Sequence, residues 1–460
     1  MQRLLLILGL IITYLLGRLA AAGDHIESGT SFWLNNVNIV DVLHQRILPN
    51  KRILVRDGII QRIDDSDTHG LPEADAHVDG KGGFVTPGLI DMHVHMYERQ
   101  AFAFTLSHGI THVRIMNGVK PQLGWRDALA KGEMVGSTAS VSSPIISGYM
   151  GAFYHHGVET PEQAIAAVTQ YKNEGYDLIK VYGNLSEPAF AALMQQSRAL
   201  NIPVAKHAPH VPGQLAIEDY VDMQSFEHVE DIYQGPLNYQ LDAQALKTVV
   251  KRLKSAQVTI TPTLNIYDQL TQLSVHKTDY LQDLPVSYLS TIIAYDDKQN
   301  QVKRWLDASD KMAAHNQQVL SFLLRITREL DAADVPLLIG SDSGVLLSPH
   351  GLATHNEMRL FREAGIEPYR ILRAATLNPA RVLGLGAQLG QIADGFEADF
   401  ILTQHNPIDD LNRLEHPDAV IKAGIWYDQN ALSAMRQNAI DSRSIWSEVG
   451  VFAEMMQRAD

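Results

Sequence analysis

The stretch Pro87-Gly88-Leu89-Ile90-Asp91-Met92-His93-Val94-His95 reads as a buried strand that begins behind a Pro-Gly break and ends on two histidines. Residues two apart on a strand share a face, so both imidazoles can reach one metal ion. The same arrangement recurs along the chain. Lys180 follows Asp177-Leu178-Ile179, His207 follows Ile202-Pro203-Val204-Ala205, and His228 follows Met223-Gln224-Ser225-Phe226. Asp342 ends the run from Val335 to Ser341. Ends of many parallel strands converge on one point only if the strands close into a ring. That is the geometry of a (β/α)8 TIM-like barrel, whose site lies on its carboxyl face. Held there together, the six side chains can serve two divalent metal ions.

Working outward, residues 86–385 alternate buried strands with amphipathic helices, the pattern of a parallel sheet in an α/β fold. The eight strands are expected to end near His95, Met116, Ile146, Tyr182, His207, His228, Leu264 and Asp342. Thr160-Pro161-Glu162-Gln163 is a helix start with an N-cap, a proline at the first position and a glutamine three residues on. Ser186-Glu187-Pro188 opens the next helix in the same manner. Asn378-Pro379 begins a short final turn. One connection is too long for a single crossover helix: about 70 residues separate Leu264 from Val335. A Tyr-rich helix over 280–295 and a charged helix from about Asp297 past Trp305 are expected in it. They form either a lid at the carboxyl face or an extra layer on the barrel flank.

The flanks differ in character. Phe32-Trp33-Leu34, Val37-Asn38-Ile39-Val40, Arg52 to Val55 and Ile59 to Ile63 read as short strands, with Asp57-Gly58 as a hairpin turn between the last two. Strands return in Phe400 to Thr403 and Ala419 to Lys422, with Ala423-Gly424 before Ile425-Trp426-Tyr427. Neither group alone makes a stable sheet. The two ends are therefore expected to meet in one small β-sandwich, from 23–85 and 386–430, with the barrel inserted between them. Residues 431–460 read as a polar helical extension.

Met1-Gln2-Arg3, the apolar run Leu4 to Leu16 and Ala20-Ala21-Ala22 read as a signal peptide over 1–22. An apolar run of about 13 is short for a membrane span, which needs about 20. Export to the periplasm or beyond is expected, with an uncleaved anchor as the alternative. The net charge of −14 argues against nucleic acid or an anionic membrane surface as a partner. No membrane role beyond export is expected, and a homo-oligomer is compatible with the chain. With no cysteine present, disulfides and thiolate ligands are excluded, so a metal must use nitrogen and oxygen donors.

With these motifs assembled, the chain resembles the amidohydrolase superfamily, in its prolidase-like and imidazolonepropionase-related branch. The likeness runs from Asp79-Gly80-Lys81-Gly82 into Pro87 to His95, and on through Glu227-His228 and Gly340-Ser341-Asp342-Ser343. It continues in Ala374-Ala375-Thr376-Leu377-Asn378-Pro379-Ala380 and Leu389-Gly390-Gln391-Ile392-Ala393-Asp394-Gly395-Phe396-Glu397-Ala398-Asp399-Phe400. The resemblance implies a binuclear centre: His93, His95 and Asp342 on one metal, His207 and His228 on the other, and Lys180 bridging them as a carbamate. Two zinc ions are expected, with manganese or cobalt as substitutes. A hydroxide bridging the ions would attack an amide carbonyl, and Asp342 would carry the proton to the leaving amine.

The implied reaction is hydrolysis of an amide C–N bond in a dipeptide, an N-acyl amino acid or a cyclic amide. Arg114, Tyr149, His155, His156, Tyr182, His210 and Tyr267 are candidates to face the substrate. Of the adjacent pair His155-His156, at most one is expected to act. Arg114 is either the partner of a substrate carboxylate or a structural ion pair under the rim. Two alternatives stand beside this reading. A mononuclear deaminase of the same superfamily would lack the bridging lysine and place a glutamate where His210 stands. A non-catalytic scaffold would show broken ligand positions, and all six are intact.

Overall fold

The computed structural model describes residues 29–152, 155–207 and 222–457; the expected signal segment and His210 lie outside them. The chain opens with strands β1 (Phe32–Asp41), β2 (Arg46–Arg56), β3 (Ile59–Asp65) and β4 (Ala76–Pro87). Asp57 and Gly58 both have positive φ, 52° and 76°, as a two-residue hairpin requires. Pro87-Gly88 ends β4 and turns the chain into β5 (Leu89–Val94), in which every residue is buried. There follow β6 (Ile110–Ile115), β7 (Thr138–Val141), β8 (Ile145–Ser147), β9 (His155–Gly157) and β10 (Ile179–Val181). Next come β11 (Val204–His207), β12 (Ser225–Glu227) and β13 (Ile260–Thr261). The chain closes with β14 (Phe400–Thr403), β15 (Ala419–Lys422), β16 (Ile425–Asp428) and two helices, Gln429–Asp441 and Ile445–Gln457.

The two chain ends do meet, in one seven-stranded sheet of order β16-β15-β14-β4-β1-β2-β3. The join is the antiparallel pairing of β14 with the end of β4, Ile401 opposite Thr86 and Leu402 opposite Val85. Strands four places apart in a flat sheet would lie roughly 19 Å from one another. Yet the Phe32 and Trp426 rings, on β1 and β16, pack edge to face at 6.1 Å. The sheet is therefore folded back over a shared apolar core that includes Leu34, Ile53, Val85, Phe400 and Ile421. Its two glycine hairpins press together: a Cβ on Gly424 would stand 2.9 Å from the Gly58 Cα.

Between the ends lie two parallel sheets, β5-β6-β7 and β13-β12-β11-β10-β8-β9. Backbone hydrogen bonds bridge them at both edges. On one side Asp177 N donates to Val141 O at 2.9 Å and Ser143 N to Leu178 O at 2.7 Å. On the other, residues 336–343 run between β13 and β5 without forming a regular strand. There Ile260 N donates to Pro336 O at 3.0 Å and Met92 N to Ile339 O at 2.9 Å, while Asp342 N donates to His93 O at 2.7 Å. The expected third strand is broken in two, β7 and β8, and β9 is an extra strand beside it. The seventh ends earlier than expected, at Thr261, because the helix Leu264–Asp283 begins at once.

Helix starts match their sequence signals. Thr160 Oγ1 accepts from Gln163 N at 3.3 Å to open Pro161–Glu174, and Ser186 caps Glu187–Ala199. The long connection holds Leu264–Asp283, Thr291–Gln299, Gln301–Leu306 and Asp310–Ala332, so the expected single helix over 280–295 is broken by a turn at 284–290. The segment packs in two places. Leu273, Leu289 and Val302 pack on Leu347, in the loop after Asp342, while Phe322, Leu323 and Ile326 of the last helix join the main core.

Candidate metal centre

His93, on β5, and Asp342 are brought together by a third group. Asp91, fully buried, accepts from His93 N at 3.1 Å, Ser341 N at 3.0 Å and Thr354 Oγ1 at 2.6 Å. Its carboxylate ties β5 to the 336–343 segment just below the ligands. Asp342 Oδ1 then lies 2.8 Å from His95 Nε2 and 3.5 Å from His93 Nε2. These three residues form a cluster with donor atoms close enough to share one ion. Burial alone would raise the Asp342 carboxyl, but His93, His95 and His228 hold it well below the usual carboxylate range.

The second group stands beside it. The His228 ring is 4.8 Å from that of His93 and 4.3 Å from that of His207. Lys180 is 2% exposed, and its Nζ has no hydrogen-bond partner among the described residues. Burial pushes its ammonium down to about 8, which favours a neutral, reactive amine. His93, His95 and Asp342 thus form one cluster, with the rings of His228 and His207 next to it and Lys180 near enough to bear on the charge of His93. Three residues at strand ends hold left-handed backbone: His228 (φ 70°), Thr263 (51°) and Asp342 (54°). Such strain in non-glycine residues gathers where function over-determines the geometry.

Beneath the rings lies a layer of supports that the sequence reading did not assign. Glu227 Oε2 holds His93 Nδ1 at 2.8 Å, and Glu227 Oε1 accepts from Arg114 Nη2 at 2.8 Å. Asp231 Oδ2 lies 2.6 Å from His207 Nδ1, and Thr263 Oγ1 lies 2.6 Å from His228 Nδ1. Burial opposes the charge of Glu227, yet Arg114 and His93 keep it ionised well below its ordinary range. Burial pushes the His93 imidazole down to about 4, so it stays neutral and able to ligate. The signal for Glu227 was available: a glutamate inside a buried strand must have a charged partner.

The substrate candidates divide. Tyr182 packs against His207 with ring centroids 4.1 Å apart, His155 is 5.2 Å from Tyr182, and Tyr149 is 6.1 Å from His155. These three line one wall beside His207. His156 turns away instead, with Nδ1 2.5 Å from the Tyr171 hydroxyl. Arg114 is fully buried and donates to Met92 O, Gln224, Ser225 and Glu227, so it is the structural ion pair and no partner of a substrate. Tyr267 is buried in the main core, with Glu230 and Tyr233 as its charged or polar neighbours. His355 and Glu357 brace the loop: His355 Nε2 lies 2.8 Å from His108 O, and Glu357 accepts from Asn265 N at 2.6 Å.

Comparison with known proteins gives the family and the fold. A model of the amidohydrolase family matches residues 84–426. The ochratoxinase of Aspergillus niger is 32% identical over 89 residues, 19% of this chain and 18% of that protein, so the match spans less than a fifth of its length. The solved bottromycin amidohydrolase superposes with a TM-score of 0.74 over 92% of each chain at 22% identity. An Xaa-Pro dipeptidase with bound methionine superposes with a TM-score of 0.65, covering 87% of this chain and all of that one at 20% identity. At these identities the two structures speak for the fold alone.

Proposed function

The chain belongs to the amidohydrolase family, and on that premise we propose that it is a binuclear metal hydrolase that cleaves an amide C–N bond. In this reading the two parallel sheets and the 336–343 segment are arcs of one eight-stranded (β/α)8 barrel. The folded seven-stranded sheet is the β-sandwich of the chain ends, and the division at 23–85, 86–385, 386–430 and 431–460 follows.

The single observation that carries the proposal is the unpartnered, buried Lys180 Nζ beside two histidine groups. A buried amine without a partner is costly; uptake of carbon dioxide with release of one proton would turn Nζ into a carbamate, whose oxygens would be ligands for metal ions held by the neighbouring histidines and Asp342. The donor set fits two ions of the zinc class: imidazole nitrogens and carboxylate oxygens, with no thiolate. When bound, such ions lower the pKa of a water and polarise a carbonyl oxygen. The chain's own residues do the rest. Asp342, kept ionised by its three histidines, accepts the water proton and passes it to the nitrogen of the leaving amine. Glu227 and Asp231 fix the rings of His93 and His207. Tyr149, His155 and Tyr182 form the wall against which the substrate lies.

The relatives' names point to Xaa-Pro dipeptides and ochratoxin as compounds to try, and the sequence motifs add N-acyl amino acids and cyclic amides. The first test is elemental analysis of protein purified with bicarbonate, followed by a screen of those compounds. About two divalent ions per chain with amide hydrolysis supports the proposal. About one ion with release of ammonia from a ring amidine would replace it with the deaminase reading. A folded protein that takes up no zinc would leave a scaffold.

A further inference from the structure

Three of the four histidines in the centre have a polar side chain at the second ring nitrogen: Glu227 and Thr263 hydrogen-bond His93 and His228, and the Asp231 carboxylate lies 2.6 Å from His207 Nδ1. His95 does not. Its Nε2 faces Asp342 Oδ1 at 2.8 Å, while its Nδ1 is buried with no hydrogen-bond partner among the described residues. What orients this ring is packing. The Tyr97 ring stacks on it nearly parallel, at 13° and 6.5 Å between centroids, and Phe452 lies 5.6 Å behind Tyr97.

Phe452 belongs to the helix Ile445–Gln457, almost at the end of the chain. That helix is pinned in place. Glu448 accepts from Ser290 Oγ at 2.6 Å, Ile292 N at 2.9 Å and Thr291 N at 3.0 Å, at the start of the helix Thr291–Gln299. Arg443, just before it, donates to Glu98 at 2.9 Å, and Glu98 adjoins Tyr97. Val451 and Phe452 then close an apolar cluster with Tyr97, Val119 and Ile293.

We infer that Tyr97 and Phe452 are positioning residues for His95, so that the C-terminal helix sets the affinity of one metal site. The inference rests on the reading of His95 as a metal ligand. With Asp342 as its one polar contact and no support at Nδ1 among the described residues, the ring relies on its packing, so loss of that backing should let it shift on Asp342.

The test is zinc titration of metal-free protein in bicarbonate, with a competing indicator, on four variants. Phe452→Ala and Tyr97→Leu should weaken one of the two ions about 10- to 100-fold, the usual cost of losing a residue that orients a ligand. The other ion should bind as before, although truncating a buried ring lowers the melting temperature of the metal-free protein. Tyr97→Phe should bind both ions normally, because the ring and not the hydroxyl does the work. Unchanged affinities in Phe452→Ala and Tyr97→Leu, or a loss of both ions in step with melting temperature, would overturn the inference. If Phe452→Ala does not fold, the contrast between Tyr97→Leu and Tyr97→Phe decides. His95→Ala separates the two levels. Should it leave both ions bound, His95 is no ligand; should it remove one while the packing variants remove none, only the positioning role fails.

Discussion

Arg114 Nη2 donates to Glu227 Oε1 at 2.8 Å, and both side chains are completely buried beneath His93. The arginine thus acts on the metal centre from below, through the carboxylate that holds the His93 ring. Its guanidinium fork spans four acceptors, among them the Met92 carbonyl and Ser225 Oγ, a geometry no ammonium can reproduce.

Replacing Arg114 by alanine would leave Glu227 as an uncompensated buried charge. We expect a loss of about 3–5 kcal/mol in stability together with weakened metal binding, and Arg114→Lys should not restore either. Denaturant unfolding checks the first and elemental analysis the second. A stable Arg114→Ala protein with two ions and a raised Michaelis constant only for carboxylate-bearing substrates would return Arg114 to the pocket.

Lys180 gives a pH dependence. Only its neutral amine can take up carbon dioxide, and burial brings its pKa down to about 8. Reactivation of metal-free protein by zinc and bicarbonate should therefore quicken as pH rises towards 8 and level off above it. A rate still climbing steeply at pH 10 would mean an ordinary, exposed lysine. Between about 8 and 10.5 the unfolded chain holds the extra proton at this site, so this residue's contribution to the stability of the metal-free protein should rise with pH across that window.

Asp342→Asn removes the proton acceptor and keeps the shape. The variant should fold with an unchanged far-UV spectrum and lose about 10²- to 10⁴-fold in turnover. Retention of more than a few per cent of activity would assign the proton to another group.

Gly340 sits tightly between β13 and β5. A Cβ there would stand 2.3 Å from Thr261 Cγ2 and 2.9 Å from His93 Cβ. Gly340→Ala should cost about 1–3 kcal/mol through overpacking and push His93 from Asp342, seen as weakened zinc binding. A normal melting temperature and normal zinc affinity would show that this contact gives way cheaply.

Much of the site was legible because metal ligands at strand ends follow strand periodicity. His93 and His95 are two apart, and Lys180, His207, His228 and Asp342 each close an apolar run. The supports were not legible in the same way. Glu227 and Asp231 lie well apart in sequence from His93 and His207, whose rings they face, and their partners depend on which strands pair. His155 and His156 look alike in sequence, yet one faces Tyr182 and the other the Tyr171 hydroxyl.

Sequence by itself determined the alternation of strands and helices, the glycine hairpins, the meeting of the chain ends and the choice of six candidate ligands. These follow from local periodicity, turn conformation and side-chain chemistry, which neighbouring residues carry with them. Tertiary structure alone decided that Arg114 lies under the site, that the long insertion divides between loop and flank, and that Phe452 stands behind Tyr97 and His95. Those outcomes depend on how burial and hydrogen bonding are shared among residues hundreds of positions apart, and no local pattern records that.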